Sequence, residues 1–376
     1  MNRSPGRDPQ PGAAPDLRRR QVLARRRLAL ILLALLALGT LVGAVLTGNY
    51  WLLAVTLVCD VLLAVYIAVL LQIKRHQAEI DAIVANPKAP TFENTIVALD
   101  MSGQLLGEVS AVFYSLLSAA TSQPMQDLAN ELAPLLSTHN DNIALNDKLF
   151  ARVKAVYDRR AKLKLDEVQR YLLENTYRGF VRSGALLDEK QKARMREINK
   201  EHSLLALKFS DNVLDATNAW SRNVSEEELA GLPATALANA RQAAQRAGLE
   251  GCLITLEFPS WYPVLAYCEN AALREEVYRA NVTRASDEGP HAGQWDNSAI
   301  IEETLALRRE LARLLGFANY AELSLATKMA DSPAQVRAFL EQLSRQSRAQ
   351  ALQEWRELQA FAREEYGAHS INAWDV

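Results

Sequence analysis

The chain has 376 residues, 49% of them apolar and 23% charged, with a net charge of −2. These proportions exclude a disordered or fibrous protein and leave room for one large or two ordinary domains. Three cysteines without paired spacing, Cys59, Cys252 and Cys268, exclude a disulfide framework and a cysteine-rich zinc site.

Residues 1–27 carry eight arginines against Asp8 and Asp16, so everything after them is acidic overall. A basic arm suits either nucleic acid or an anionic membrane. Because this one abuts an apolar run, its position points to the membrane, and no nucleic-acid partner is expected. We read 1–27 as a basic, mostly disordered cytoplasmic arm, rich in Pro and Gly over its first sixteen residues.

Residues 28–72 are predicted to form a transmembrane hairpin with spans at 28–47 and 51–71. The first span holds twenty residues without a charge, enough to cross about 30 Å of hydrocarbon. Gly48, Asn49 and Tyr50 make the turn. Arg25, Arg26 and Arg27 precede the hairpin and Lys74 and Arg75 follow it, which places both termini and the soluble region on the cytoplasmic side of a bacterial-type inner or plasma membrane. A cleaved signal peptide would have a shorter apolar core and a small-residue cleavage site. Asp60 falls near the middle of the second span, where an ionised carboxylate costs about 2.5–3.5 kcal/mol, so it is expected to be protonated, bonded to Thr56 or Thr40, or paired with another subunit. Gly39 and Gly43 have the spacing that lets two helices approach closely; packing of the two hairpin helices is favoured over self-association.

A junction over 73–90 ends in Pro87 and Pro90, and the pattern over 91–376 is helical. Thr91 opens a helix through Ile96 and Leu99. Met195, Ile198, His202, Leu205 and Phe209 recur at three- and four-residue steps, one apolar seam of a helix. Ser225 with Glu228 has the form of a capping box, Ser332 followed by Pro333 marks another helix start, and Gly367 a stop. The exception is 252–259, where Cys252, Ile254, Leu256 and Phe258 alternate with Leu253, Thr255 and Glu257: one short strand or β hairpin. The predicted class is mainly α.

No catalytic or metal-binding residue can be assigned. A zinc helix needs two histidines at i and i+4 with a glutamate between them, and His76, His139, His202, His291 and His369 have no such spacing. Glu201-His202 begins like half of that motif, but residue 206 is alanine, and His202 on its apolar seam reads as a packed side chain. The chain lacks a G-x-S-x-G elbow, a phosphate-cradling glycine loop and a dinucleotide fingerprint. The sequence therefore implies no cofactor in this chain.

An ordered series of blocks carries a resemblance. It begins with Pro90-Thr-Phe-Glu-Asn-Thr-Ile-Val-Ala-Leu99, Phe180-Val-Arg-Ser-Gly184 and Asn212-Val-Leu-Asp-Ala-Thr217. It continues with Ala272-Leu-Arg-Glu-Glu-Val-Tyr-Arg-Ala280, Thr283-Arg-Ala-Ser-Asp287 and Trp295-Asp-Asn-Ser298, then Leu314-Leu-Gly-Phe-Ala-Asn-Tyr320 and Ala326-Thr-Lys-Met-Ala330. Over about residues 78–376 the chain resembles the thimet oligopeptidase, oligopeptidase A and peptidyl-dipeptidase family of zinc metallopeptidases. The resemblance implies a mostly helical clam-shell whose channel admits short peptides. It also implies a following catalytic half with an H-E-x-x-H zinc helix, for which residues 1–376 hold no matching position. The zinc of the complete family therefore has no ligand here, and 91–376 is expected to be the front, non-catalytic half of such a clam-shell.

The sequence leaves three readings open: an N-terminal part of a metallopeptidase, inactive alone; one half of a split enzyme whose catalytic half is a separate chain; and a membrane-bound helical scaffold that holds peptides without hydrolysis. The expected partners are the lipid bilayer, short peptides and the missing catalytic half.

Overall fold

The structure, a computed structural model, describes residues 50–376, with side chains described from Asp60 onward. The first expected span, Arg25, Arg26 and Arg27, and Gly39 and Gly43 lie outside the described residues. The described chain is mostly helical with one two-stranded sheet, and it divides into two units at Gly179 and Phe180.

The first unit is built on one long helix, α1 (Tyr50–Ala85). It runs without a break through Lys74 and Arg75, so the compositional boundary near residue 72 is not a boundary in the backbone. Asn86 and Pro87 end the helix, and Arg152 holds the next loop: its guanidinium donates to Asn86 O at 3.0 Å and to Asn94 Oδ1 at 3.2 Å. Thr91 caps the next helical turns as expected, in a reciprocal box with Asn94. These turns, Phe92–Val97 in π form and Ala98–Asp100, stop at Gly103. Helices α2 (Gln104–Ala119), α3 (Gln123–Ala144), α4 (Asp147–Tyr157) and α5 (Glu167–Arg182) come after them.

The helices α2 and α3 both pack on α1, and their shared core joins Tyr66 and Val69 of α1 to Leu106 and Phe113 of α2 and Ala129 and Leu132 of α3. Part of the apolar run read from sequence as a second span is therefore the central helix of a helical packing. Among the described residues two stretches, Asp60–Ala85 and Phe92–Ala119, are long and apolar enough to cross a membrane by length and composition.

The second unit contains α6 (Glu189–Ala219), β1 (Ser221–Val224), α7 (Ala234–Arg246), β2 (Cys252–Thr255), α8 (Phe258–Tyr267), α9 (Ala271–Val282), α10 (Ser298–Leu314), α11 (Tyr320–Leu325) and α12 (Pro333–Tyr366). The predicted strand pairs antiparallel with β1, Val224 opposite Cys252 and Ser221 opposite Thr255. Its inward residues Cys252 and Ile254 enter a core with Trp220, Val264 and Val277. Ser332 caps α12 through the Gln335 amide, and Gly367 closes it in the left-handed conformation.

Candidate functional site

In the first unit two histidines 63 positions apart in sequence meet side chain to side chain. His76 comes from α1 and His139 from α3. Their Nδ1 and Nε2 atoms lie 3.0 Å apart, and His76 Nε2 lies 3.2 Å from Ser102 Oγ. The hydroxyl has one hydrogen, and Leu99 O at 2.7 Å takes it. His76 must then donate from Nε2 to Ser102, leaving Nδ1 as the acceptor for the His139 Nε2–H. Each proton is used once, and the chain is satisfied with both rings neutral.

The turn beside this pair is shaped to fit it. Gly103 has φ +71, a conformation that costs a side chain about 1–3 kcal/mol, and a Cβ there would stand 2.6 Å from the His76 ring. Its amide donates to Glu79 Oε2 at 2.9 Å, which, ahead of the Arg75 charge, holds that carboxyl below the usual range.

Burial lowers the pKa of His76, opposed by the Glu79 charge, and lowers that of His139, aided by the charge of His76. A base with a depressed folded pKa binds fewer protons folded than unfolded. The contribution of the pair is therefore complete above the ordinary histidine value of 6.5 and is lost as pH falls through 6.5 toward the lowered folded values. Thermal unfolding between pH 7.5 and pH 5, roughly one unit either side of that value, should show a falling melting temperature. His139→Gln should flatten the slope; an unchanged slope in the variant would disconnect it from this pair.

The other histidines make no such cluster. His202 is half-buried on α6 and accepts from Arg308 Nε at 3.3 Å; burial and that neighbouring charge lower its pKa. His291 stacks edge-on with Trp295. Cys252 and Cys268 are buried and free, and burial pushes both thiols up, away from nucleophilic thiolates. Among the described residues no three of His, Cys, Asp and Glu converge on a point where a metal could sit. Both nitrogens of His76 are engaged, so no chemical step is routed through a metal held by these residues.

Two arginine clamps of the second unit fasten elements distant in sequence. Arg194 of α6 grips Glu310 of α10 through Nε and Nη2 at 2.6 and 2.7 Å. Arg274 of α9 donates to Trp374 O at 3.0 Å and Asp375 Oδ1 at 2.7 Å, while Arg279 lies over the Trp374 ring. The segment after α12 is thereby tied to α9. Sequence reasoning found neither clamp nor the histidine pair, because their partners are far apart along the chain and no local pattern marks them.

A surface is the larger feature. None of the 34 residues of α12 is buried, yet it carries Phe339, Leu343, Trp355 and Phe361, exposed by 59%, 46%, 41% and 53%. Singly exposed apolar residues are ordinary; this many on one long helix with no buried residue mark a surface left without a packing partner among the described residues.

Asp60 is exposed on α1, Lys74 is exposed, and Arg75 pairs with Glu79 at 3.3 Å. The structure brings none of these three into the histidine cluster.

Residues 264–376 match the sequence model of peptidase family M3. Oligopeptidase A of Salmonella typhimurium is 40% identical over 301 residues, 80% of this chain and 44% of that protein. Oligopeptidase A of Escherichia coli is 42% identical over 298 residues, 79% of this chain and 44% of its own length. The dipeptidyl carboxypeptidase of Escherichia coli is 34% identical over 304 residues, again 44% of its length. The chain thus spans less than half the length of these curated relatives.

Proposed function

Because this chain belongs to peptidase family M3, we propose that residues 78–376 supply the helical front half of a short-peptide hydrolase and that the N-terminal apolar segment holds it at a membrane. The observation that carries the first part is the set of exposed apolar side chains on α12, none of whose residues is buried. A helix of 34 residues with seven large hydrophobic side chains in water is a cost that a covering body removes. The body of fitting chemistry is the remaining half of such a hydrolase, which brings the zinc site. When bound, zinc would polarise the scissile carbonyl and activate water. The role of the front half is to wall the channel and exclude water.

The membrane part rests on the uncharged run at 28–47 and the arginines before it. With positive residues retained inside, both ends and the two helical units face the cytoplasm.

Residues 1–376, purified in detergent and given a quenched short peptide, should show no cleavage with zinc added and none after chelation. Chelator-sensitive turnover by this polypeptide alone would overturn the assignment of a non-catalytic half. An alkaline carbonate wash of membranes should leave the chain in the pellet; release into the wash would remove the membrane reading.

A further inference from the structure

His76 and His139 each turn one nitrogen toward the other, and the space between those nitrogens holds a single hydrogen. His76 Nδ1 and His139 Nε2 stand 3.0 Å apart, with the ring planes at 72°. The far nitrogen of His76 is committed to Ser102 Oγ, and the Ser102 hydroxyl to Leu99 O. On His139, which is 3% exposed, Nδ1 carries a lone pair in this arrangement.

We propose that the two rings form a one-proton latch between α1 and α3: a first added proton is shared across the contact and leaves it closed, and a second forces the rings apart and frees the C-terminal end of α3 from α1. With both rings neutral, the hydrogen in the contact belongs to His139 Nε2 and is donated to His76 Nδ1. A proton added at His139 Nδ1 leaves that hydrogen in place, and the bond becomes charge-assisted and stronger. The charge then belongs to the pair, because moving the central hydrogen breaks one N–H bond and forms another. A second added proton has only the contact itself to go to. Both facing nitrogens would then carry hydrogen at 3.0 Å, and two like charges would sit on adjoining rings.

The parting falls between α1 and α3 and spares the turn before α2. A protonated His76 still donates from Nε2 to Ser102, and the Gly103 amide still donates to Glu79 Oε2, so the turn stays with α1. On α3, Ala129 and Leu132 stay in the core with Tyr66 and Val69. Between them and His139 the helix contains Pro134, which lacks the amide that would bond back one turn. The hinge for residues 137–144, about two turns, is therefore already present.

The surrounding charges set the order of events. Burial opposes a charge on His76, and Glu79 on the same face of α1 favours it. The Gly103 amide holds the Glu79 carboxyl below the usual range, so Glu79 stays ionised while the rings titrate, and Arg75 is paired with it. The turn brings only the Ser102 hydroxyl and the Gly103 amide. On α3, Asp141 is buried about 200° around the helix from His139. The helix α4 brings Asp147 and Lys148 at its first turn and α2 brings Glu108, all three exposed.

The test uses the full chain in detergent with isotope-labelled histidine, titrated from about pH 8 to about pH 4. The His76 and His139 ring signals, identified with His76→Gln and His139→Gln, should each respond in both of two separate steps. Hydrogen exchange read by mass spectrometry should keep residues 137–144 protected through the first step and lower their protection about tenfold at the second, while residues 298–314 hold theirs. A glutamine amide turns to give or to take a hydrogen bond, so His139→Gln should let His76 take a proton without that loss. Rings that titrate independently, protection lost with the first proton, or protection still lost in His139→Gln would each overturn the proposal. If a variant fails to fold, the exchange profile of the parent chain still decides between one step and two.

Discussion

Leu132→Ala is expected to destabilise the first helical unit by about 2–5 kcal/mol, read from urea unfolding followed by circular dichroism. Leu132 has no exposed surface and lies where α1, α2 and α3 meet, among Tyr66, Val69, Leu106 and Phe113. Truncation removes three carbons from a site ringed by three helices that are each fixed by other contacts, so little collapse can refill the cavity. Against a typical domain stability of about 5–15 kcal/mol this is a large fraction. The result also bears on α1. If Tyr66 and Val69 were lodged in lipid away from α3, Leu132 would face no packed partner and the loss would fall below about 1 kcal/mol.

Gly231→Ala should have a comparable effect on the second unit, by adding rather than removing atoms. Gly231 has φ +93, and a Cβ built there meets the carbonyl oxygen of Tyr267 at 2.3 Å. The backbone on either side cannot give way freely. The Glu269 amide donates to Ala230 O at 2.9 Å, and the Cys268 thiol lies 3.3 Å from Glu228 O. Strain at this φ contributes about 1–3 kcal/mol and the forced shift of the end of α8 about 1–3 more. The displaced residues include Leu229 and Cys268, both in the core around the β1–β2 pair, so the melting temperature of that unit should fall. A variant that melts with the parent would show that this close approach does not exist in solution.

The local rules were readable where the responsible residues are neighbours. Thr91, Ser225 and Ser332 each cap a backbone amide three residues ahead, and the two-residue alternation from Cys252 marked the strand. Its partner was not readable. Ser221, Arg222 and Asn223 are exposed and only Val224 is buried, so β1 carries no alternation to detect. The histidine pair was equally silent, since His76 and His139 meet only because α1 and α3 pack at one level.

The ordered blocks from Pro90 to Ala330 were enough to give the family and the helical class, because both depend on short-range pattern and on residues fixed in order along the chain. Hydropathy also marked residues 51–71 as apolar, correctly as composition. What hydropathy could not decide is what that apolar face touches. Val61 is 52% exposed and Val69 is 1% exposed, two turns apart on the same helix with the same side chain. The difference lies in α3, which covers Val69 with Leu132 and leaves Val61 open beside Val112. Burial belongs to a pair of surfaces, and the second surface here is brought in from far along the chain.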